Sequence, residues 1–443
     1  MKTFVNSLKP AQIIAVGFIL IILLGTASLL LPMATQSGEK TSVLDALFTA
    51  TSATCVTGLT TVSTMDHWTH FGQLMILLMN EIGGLGFMMV VVVLRSIARQ
   101  DSTLKYNLII NESYNFANTG KAFSLIKSTT KIMIVIQVLG AIFLSFDFIP
   151  RFGLRRGVWY SVFHAVSAVS NAGFDLFGNS FISFANNSYV LIVMSLLILS
   201  GGFGYIIWMD LLNYKRRTRL SLHTRIALVM TIVLVFGGAF LFMLINTSFY
   251  NGNMFNYICQ SFFLSISPRT AGFEIIDYNR MGYAAVLLTM ILMFIGGTSG
   301  STSGGIKTTT FGVLLLNIRA ILRGEERTVF HQRTIPKSVT MQVYEVIFLY
   351  ISVTLVASFV LLLTETLPEN NGIEYIFFEV IAAISTAGFS MGLTPNLTVF
   401  GKFVVIFLMF IGRIGLFTII YSVNRRHTKE EYFKYPEEPV IIG

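Results

Sequence analysis

An all-α integral membrane fold, built from four tandem units of span, short re-entrant helix and span, is what this sequence predicts. Three observations carry it. The 443 residues are 54% hydrophobic and only 12% charged, with a mean hydropathy of +0.71, whereas a soluble domain carries roughly 25% charged residues. A short phrase, "VTGL", "NAGF", "TAGF" and again "TAGF", recurs around Gly58, Gly173, Gly272 and Gly388, at spacings of 115, 99 and 116 residues. A second phrase, "EIGGLGF", "LSGGFGY", "FIGGTSG" and "FIGRIGL", follows at separations of 26, 29, 25 and 25 residues. Chance apolar composition does not hold two phrases at a near-constant distance. The chain therefore divides into repeats at 1–118, 119–218, 219–333 and 334–443.

Each repeat opens on a long apolar segment: 12–31, 131–149, 223–246 and 338–364. These are long enough to cross a bilayer, and the first reads as a retained span rather than a signal peptide. A short apolar segment then precedes each repeated glycine, at 43–54, 158–169, 254–266 and 373–384. About 12 residues cannot cross, so each is predicted to be a re-entrant helix. Second spans follow at 71–98, 188–212, 282–318 and 399–423, giving eight transmembrane helices. With the N- and C-termini cytoplasmic, 22 of the 31 Lys and Arg fall inside. Seven (Lys40, Arg151, Arg155, Arg156, Arg269, Arg280 and Lys402) fall outside. That bias sets the orientation of a multi-pass protein of the cell membrane.

Backbone leaves helical geometry at membrane depth only where it lines water or is buried in protein. Four half-helices entering from outside point their negative C-terminal ends at the membrane centre, which favours a cation there. A glycine after each lets the strand take positive φ and turn carbonyls inward. Rings of such carbonyls replace an ion's hydration shell in potassium filters. The predicted filter strands are Cys55, Val56, Thr57, Gly58; Ser170, Asn171, Ala172, Gly173; Arg269, Thr270, Ala271, Gly272; and Ser385, Thr386, Ala387, Gly388. They are expected to surround one pseudo-fourfold central pore. Tight helix packing is the alternative use of small residues, but it needs no half-length helix before each glycine.

The third repeat carries a polar insert, Gly297, Thr298, Ser299, Gly300, Ser301, Thr302, Ser303, Gly304 and Gly305, followed by Lys307. Glycines cost a helix about 1 kcal/mol each, and small polar groups do not face lipid. The insert is expected either to kink the span or to form a mobile plug under the filter. Lys307 either snorkels to the cytoplasmic interface or lines the inner vestibule. Arg413 replaces the second glycine of the pair in repeat four. A mid-span arginine faces the bundle interior or a cavity, as an electrostatic barrier or as a clasp on loop carbonyls.

Other classes are disfavoured. "GSTSGGIKT" mimics a phosphate loop, but Ile306 separates Gly305 from Lys307 and no strand precedes it. His67, His70 and His164 have no metal-ligand spacing, and no span carries paired acidic residues, so no enzyme and no organic cofactor are expected. Cys55 and Cys259 lie in apolar stretches of different repeats and suggest no disulfide framework. Polar connections near 99–130, 213–225 and 319–338 are too short to fold alone, so no built-in nucleotide-binding domain is expected. A secondary transporter with discontinuous helices, coupling sodium or protons to cation movement, is the alternative function. Its usual inverted repeats do not match four units running the same way.

Through "VTGL", "NAGF", "SPRTAGF", "STAGF", "MFIGRIG" and the polar insert, essentially the whole chain resembles the Trk/Ktr/HKT superfamily of cation transporters. It is most similar to the membrane subunit of a bacterial Ktr potassium-uptake system. The resemblance implies potassium as the transported ion, bound at the filter only, with sodium as a second candidate. Glycine at all four filter tips goes with potassium selectivity in that family, while Cys55 occupies a slot expected to hold Ser or Thr. The resemblance also implies an intramembrane gating loop, a homodimer in the lipid bilayer and a separate cytosolic nucleotide-binding regulatory ring, with no nucleic-acid partner. The basic connections at 213–225 and 319–337 either meet that ring or only obey the topology rule.

Overall fold

The computed structural model describes residues 10–36, 41–86, 122–212, 214, 220–245, 252–368 and 372–415. Long apolar helices α1 (Pro10–Leu29), α4 (Ala122–Phe152), α8 (Leu222–Ile245) and α12 (Lys337–Thr364) each open one unit. Short helices α2 (Val43–Cys55), α5 (Leu154–Ser170), α9 (Met254–Ile266) and α13 (Glu374–Ile384) follow them, within a few residues of the expected bounds. Two start on side-chain caps: Ser42 Oγ accepts from the Asp45 N–H (3.0 Å) and Asn253 Oδ1 from the Asn256 N–H (3.2 Å). Such caps satisfy donors that the first helical turn leaves open. Helix α4 turns into α5 at Gly153, whose φ of +78° suits a residue without a Cβ.

The second helix of each unit is α3 (His70–Leu85), α6 (Ser188–Gly202), α10 (Tyr283–Phe294) and α14 (Val399–Ile414). Here the structure departs from the expectation of unbroken second spans. Every one stops at the repeated glycine phrase, not only the third. Gly86, Gly204 and Gly415 have φ of +80°, +71° and +93°. The chain resumes as α7 (Gly204–Leu212), bent 98° from α6, and as α11 (Thr308–Leu322) beyond the polar insert. The remainders of the spans expected at 71–98 and 399–423 lie outside the described residues. Among the described residues four helices are long and apolar enough to cross a membrane, or five if the bent pair is one span. The described half-spans, of 16, 15, 12 and 16 residues, are individually too short to cross.

The core lies between the units and behind the short helices. Phe148, Phe152, His164, Phe177, Phe181 and Phe184 pack ring to ring behind the second short helix. Cys55 and Cys259 are free and buried. Beside the first turn of α2, Lys402 Nζ meets Asp45 Oδ1 at 2.8 Å and ties unit four to unit one. Burial, the strongest influence on Asp45, pushes its pKa up, but hydrogen bonds from Lys402, Ser42 and Thr61 outweigh it and hold the carboxyl below its ordinary value. The lowered pKa means this contact stabilises above the unfolded carboxylate pKa and is lost as pH falls through the folded value. Asp45→Asn is expected to lower the thermal midpoint slightly at neutral pH, with the difference vanishing on acidification. An undiminished difference in acid would assign the effect to packing.

Candidate functional site

The four repeated glycines meet. A Cβ built on Gly58 would lie 2.7 Å from the Ala172 carbonyl oxygen and 3.0 Å from Gly173 Cα. One on Gly173 would lie 3.0 Å from Gly272 Cα, and one on Gly272 would lie 3.0 Å from the Ala387 oxygen. One on Gly388 would overlap the Thr57 carbonyl, 3.1 Å from Gly58 Cα, which closes the ring in the order one, two, three, four. Their φ angles are +94°, +72°, +74° and +79°.

A second set of left-handed residues sits two positions before each glycine: Val56 (+57°), Asn171 (+55°), Thr270 (+72°) and Thr386 (+50°). Their residue types, which disfavour such backbone, carry no signal of it in the sequence. Left-handed backbone costs an L-residue roughly 1–2 kcal/mol, more for β-branched Val and Thr, and such strain clusters at functional sites. Along each strand, a residue without positive φ separates the two left-handed ones. The short helices end on the same residues, since the N–H groups of Val56, Asn171 and Thr386 donate to Ala53, Ala168 and Ala383. The expected first filter residues Cys55 and Ser170 are still the last residues of α2 and α5. In units one and two the strand proper therefore begins one residue later, whereas Arg269 and Ser385 lie beyond the ends of α9 and α13.

Side chains brace the strands from behind. Ser52 Oγ accepts from the Gly58 N–H (3.1 Å), and Ser167 Oγ donates to the Phe174 carbonyl (2.8 Å). His164 bridges α5 to the chain leaving the second strand. Its Nδ1–H donates to Tyr160 O (2.7 Å), its Nε2 accepts from the Leu176 N–H (3.2 Å), and its ring stacks on Phe177 at 4.4 Å. The absence of metal-ligand spacing around this histidine agrees with a bracing role. Its isolation in an apolar helix next to the glycine phrase was the available signal.

Residues 295–307 form a loop beneath the ring. Its base is closed by Gly296 N–H to Ile306 O (2.9 Å) and Ile306 N–H to Phe294 O (3.1 Å). On one side it meets unit two, where the Thr298 N–H and Oγ1–H donate to Gly202 O (both 3.1 Å) and Thr302 Oγ1–H donates to Val169 O (3.2 Å). Ser303 Oγ lies 2.6 Å from the Asn171 side chain, whose amide satisfies both neighbours when its oxygen faces Ser303 and its NH2 faces Ala168 O. On the other side Gly304 packs so closely on Ser385 and Thr386 of unit four that no Cβ would fit. Lys307 Nζ donates to Ser303 O (2.5 Å), so it closes the loop on itself. Ser299 Oγ meets Thr309 Oγ1 at 2.9 Å.

Two arginines hold this loop. The Arg413 guanidinium donates to Thr302 O in the loop, and to Gly83 O and Gly84 O (3.1 Å) at the broken end of α3. The loop-carbonyl contact expected of it is present, with a reach into unit one that was not foreseen. Arg269, counted above among the outer basic residues, is buried instead. Its Nη2–H donates to Gly296 O (3.3 Å) and Thr308 Oγ1 (3.1 Å), one on each end of the loop. The physical reason is that α9 ends inside the packed bundle, so Arg269, three residues on, is enclosed by the loop and the start of α11.

The description "cation transport protein" belongs to the TrkH family model, which matches residues 1–435. The potassium/sodium uptake protein NtpJ of Enterococcus hirae is 45% identical over 440 residues, covering 98% of each chain. The Ktr system potassium uptake protein B of Bacillus subtilis is 36% identical over 441 residues, covering 98% of this chain and 97% of its own. The crystal structure of the potassium transporter TrkH from Vibrio parahaemolyticus shares the fold, with a TM-score of 0.72 at 18% identity over 92% of this chain and 85% of that one. Sequence, glycine ring and fold agree: the chain belongs to the TrkH family of cation transport proteins.

Proposed function

We propose that this protein takes up potassium across the cell membrane through a carbonyl-lined filter at Gly58, Gly173, Gly272 and Gly388, with sodium as a second permeant ion. The observation that carries the reading is the closed ring of four left-handed glycines, each at the negative end of a short helix. Backbone carbonyls gathered there replace a cation's hydration shell. The printed names of the relatives, potassium or potassium/sodium uptake, support the choice of ion.

The loop at 295–307, clasped by Arg413 and anchored by Arg269, acts as the intramembrane gate. Residues 297–305 and Lys307 form its body. A homodimer with cytoplasmic termini, controlled by a cytosolic nucleotide-binding ring, completes the proposed assembly. The Ktr-system names of several relatives favour a partner subunit.

Flux into liposomes containing the purified chain tests the function. Potassium entry that follows its own gradient, with no sodium or proton gradient, is expected. Obligatory coupling to either would favour a carrier. Removing Ser299–Gly304 should raise basal flux without any partner, because the remaining ends cannot reach both unit two and unit four. A folded deletion with reduced flux would make the loop a structural kink.

A further inference from the structure

Helix α11 begins at the loop and ends, about 22 Å away at 1.5 Å per residue, in a basic pocket that the transport reading does not use. After α11, the chain turns at Gly324 (φ +69°) and forms a two-stranded hairpin, β1 (Val329–Phe330) with β2 (Arg333–Thr334). Asn317 pins that hairpin, accepting from Thr328 Oγ1–H (2.7 Å) and donating to Tyr344 Oη on α12 (2.7 Å). The hairpin turn, His331 and Gln332, is left-handed at both residues (φ +48° and +63°). Glycine or asparagine ordinarily fills such a turn.

Between α11 and the hairpin lies a cavity of about 380 Å³, walled by Leu316, Phe330, Arg319, Arg323, His331 and Glu325. Among the described residues neither Arg319 nor Arg323 has an ion-pair partner. Leu315, Ile318 and Leu322 are exposed on the neighbouring stripe of the same helix, Leu322 by 82%. Unpaired guanidinium groups beside bare aliphatic side chains at the end of a membrane helix match one chemistry, a phosphate under acyl chains.

We infer that this pocket binds the headgroup of an anionic phospholipid, with Arg319 and Arg323 on the phosphate and the acyl chains along Leu315, Ile318 and Leu322. Guanidinium groups suit phosphate oxygens by forming paired N–H contacts. The 319–337 stretch holds five Lys and Arg, which places the pocket on the side where anionic lipid attracts basic residues. A bound headgroup bears on the far end of the helix whose first residues, Thr308 and Thr309, meet the loop at Gly296 O and Ser299 Oγ. Its effect on flux rests on the uptake reading above; the binding does not.

The test titrates delipidated full-length protein in detergent with short-chain phosphatidylglycerol, using phosphatidylcholine of equal chain length as control. Preference for phosphatidylglycerol is expected. Each arginine near an anionic surface contributes about fivefold in affinity, so Arg319→Gln with Arg323→Gln should weaken it roughly thirtyfold. Arg327→Gln, an exposed residue outside the pocket wall, should leave it unchanged. Should the double variant unfold, Arg319→Lys with Arg323→Lys replaces it and should retain most of the preference. In liposomes, phosphatidylglycerol should alter wild-type flux and leave the double variant's flux unaltered. Equal affinity for both lipids overturns the site. Full displacement by inorganic phosphate assigns the pocket to a soluble anion, and unchanged lipid binding with loss of a cytosolic protein partner assigns it to a protein surface.

Discussion

Gly388→Ala is expected to remove potassium selectivity, lowering the preference for potassium over sodium about tenfold or more if the chain still conducts. At φ +79° an alanine is strained wherever it sits. Here its methyl would also collide with the Thr57 carbonyl, one of the groups proposed to face the ion. The ring predicts a graded series. Gly58→Ala should follow in severity, with 2.7 Å to the Ala172 oxygen. Gly173→Ala and Gly272→Ala should be mildest, with nearest atoms at 3.0 Å and 2.9 Å. Gly237, on the exposed side of α8 with nothing within 4 Å, is the control. There alanine should be neutral, or stabilising by about 1 kcal/mol. Potassium-limited growth across a range of sodium concentrations reads the series. If all four filter variants grow as wild type in high sodium, the filter assignment fails.

Arg413→Ala is expected to raise basal potassium flux and weaken its dependence on a cytosolic regulator. The guanidinium holds the loop at Thr302 O and the broken α3 at Gly83 O and Gly84 O. Each charge-assisted hydrogen bond contributes about 1.5–3 kcal/mol, so losing the one to Thr302 O shifts the loop toward release by about tenfold to a hundredfold. The variant also removes a fixed positive charge from beneath the ring. At 4 Å that charge opposes a cation by about 1 kcal/mol in water and about 4 kcal/mol at a partly desolvated site. Arg413→Lys separates the two effects, because lysine keeps the charge and loses the planar fork that reaches both partners. High flux in both variants would identify tethering as the main barrier, and high flux in Ala alone would identify repulsion. If the alanine variant folds, inserts and conducts no faster than wild type, Arg413 is a structural clasp.

The bounds of the short helices were legible because they depend on neighbours along the chain. An apolar run of about 12 residues ahead of a repeated glycine is a local fact, and α2, α5, α9 and α13 follow it within a few residues. The repeated spacing likewise exposed the four glycines, since duplication leaves its register in the chain itself. The broken second helices were only half visible. "GGTSGSTSGG" announced itself, whereas Gly86, Gly204 and Gly415 sat in apolar surroundings that read as continuous spans.

Arg269 marks the boundary between the two kinds of knowledge. By position it follows a helix entering from outside, and a count of charges placed it with the outer basic residues. Its depth depends on where α9 ends in the assembled bundle, and its partners, Gly296 and Thr308, lie 27 and 39 residues on. The same holds for Arg413, whose contacts with Gly83 and Gly84 span 330 and 329 residues. The left-handed turns at Val56, Asn171, Thr270 and Thr386 belong here too, because side chains that disfavour such backbone adopt it only when packing imposes it. The sequence by itself determined the membrane class and the four recurring glycine phrases, through hydrophobic length and local backbone freedom. Only the tertiary structure decided that the glycines close into a ring and that one loop, held by two arginines, joins all four units beneath it. Those contacts form between strands and helix ends far apart in the chain, and nothing local to either partner encodes the distance between them.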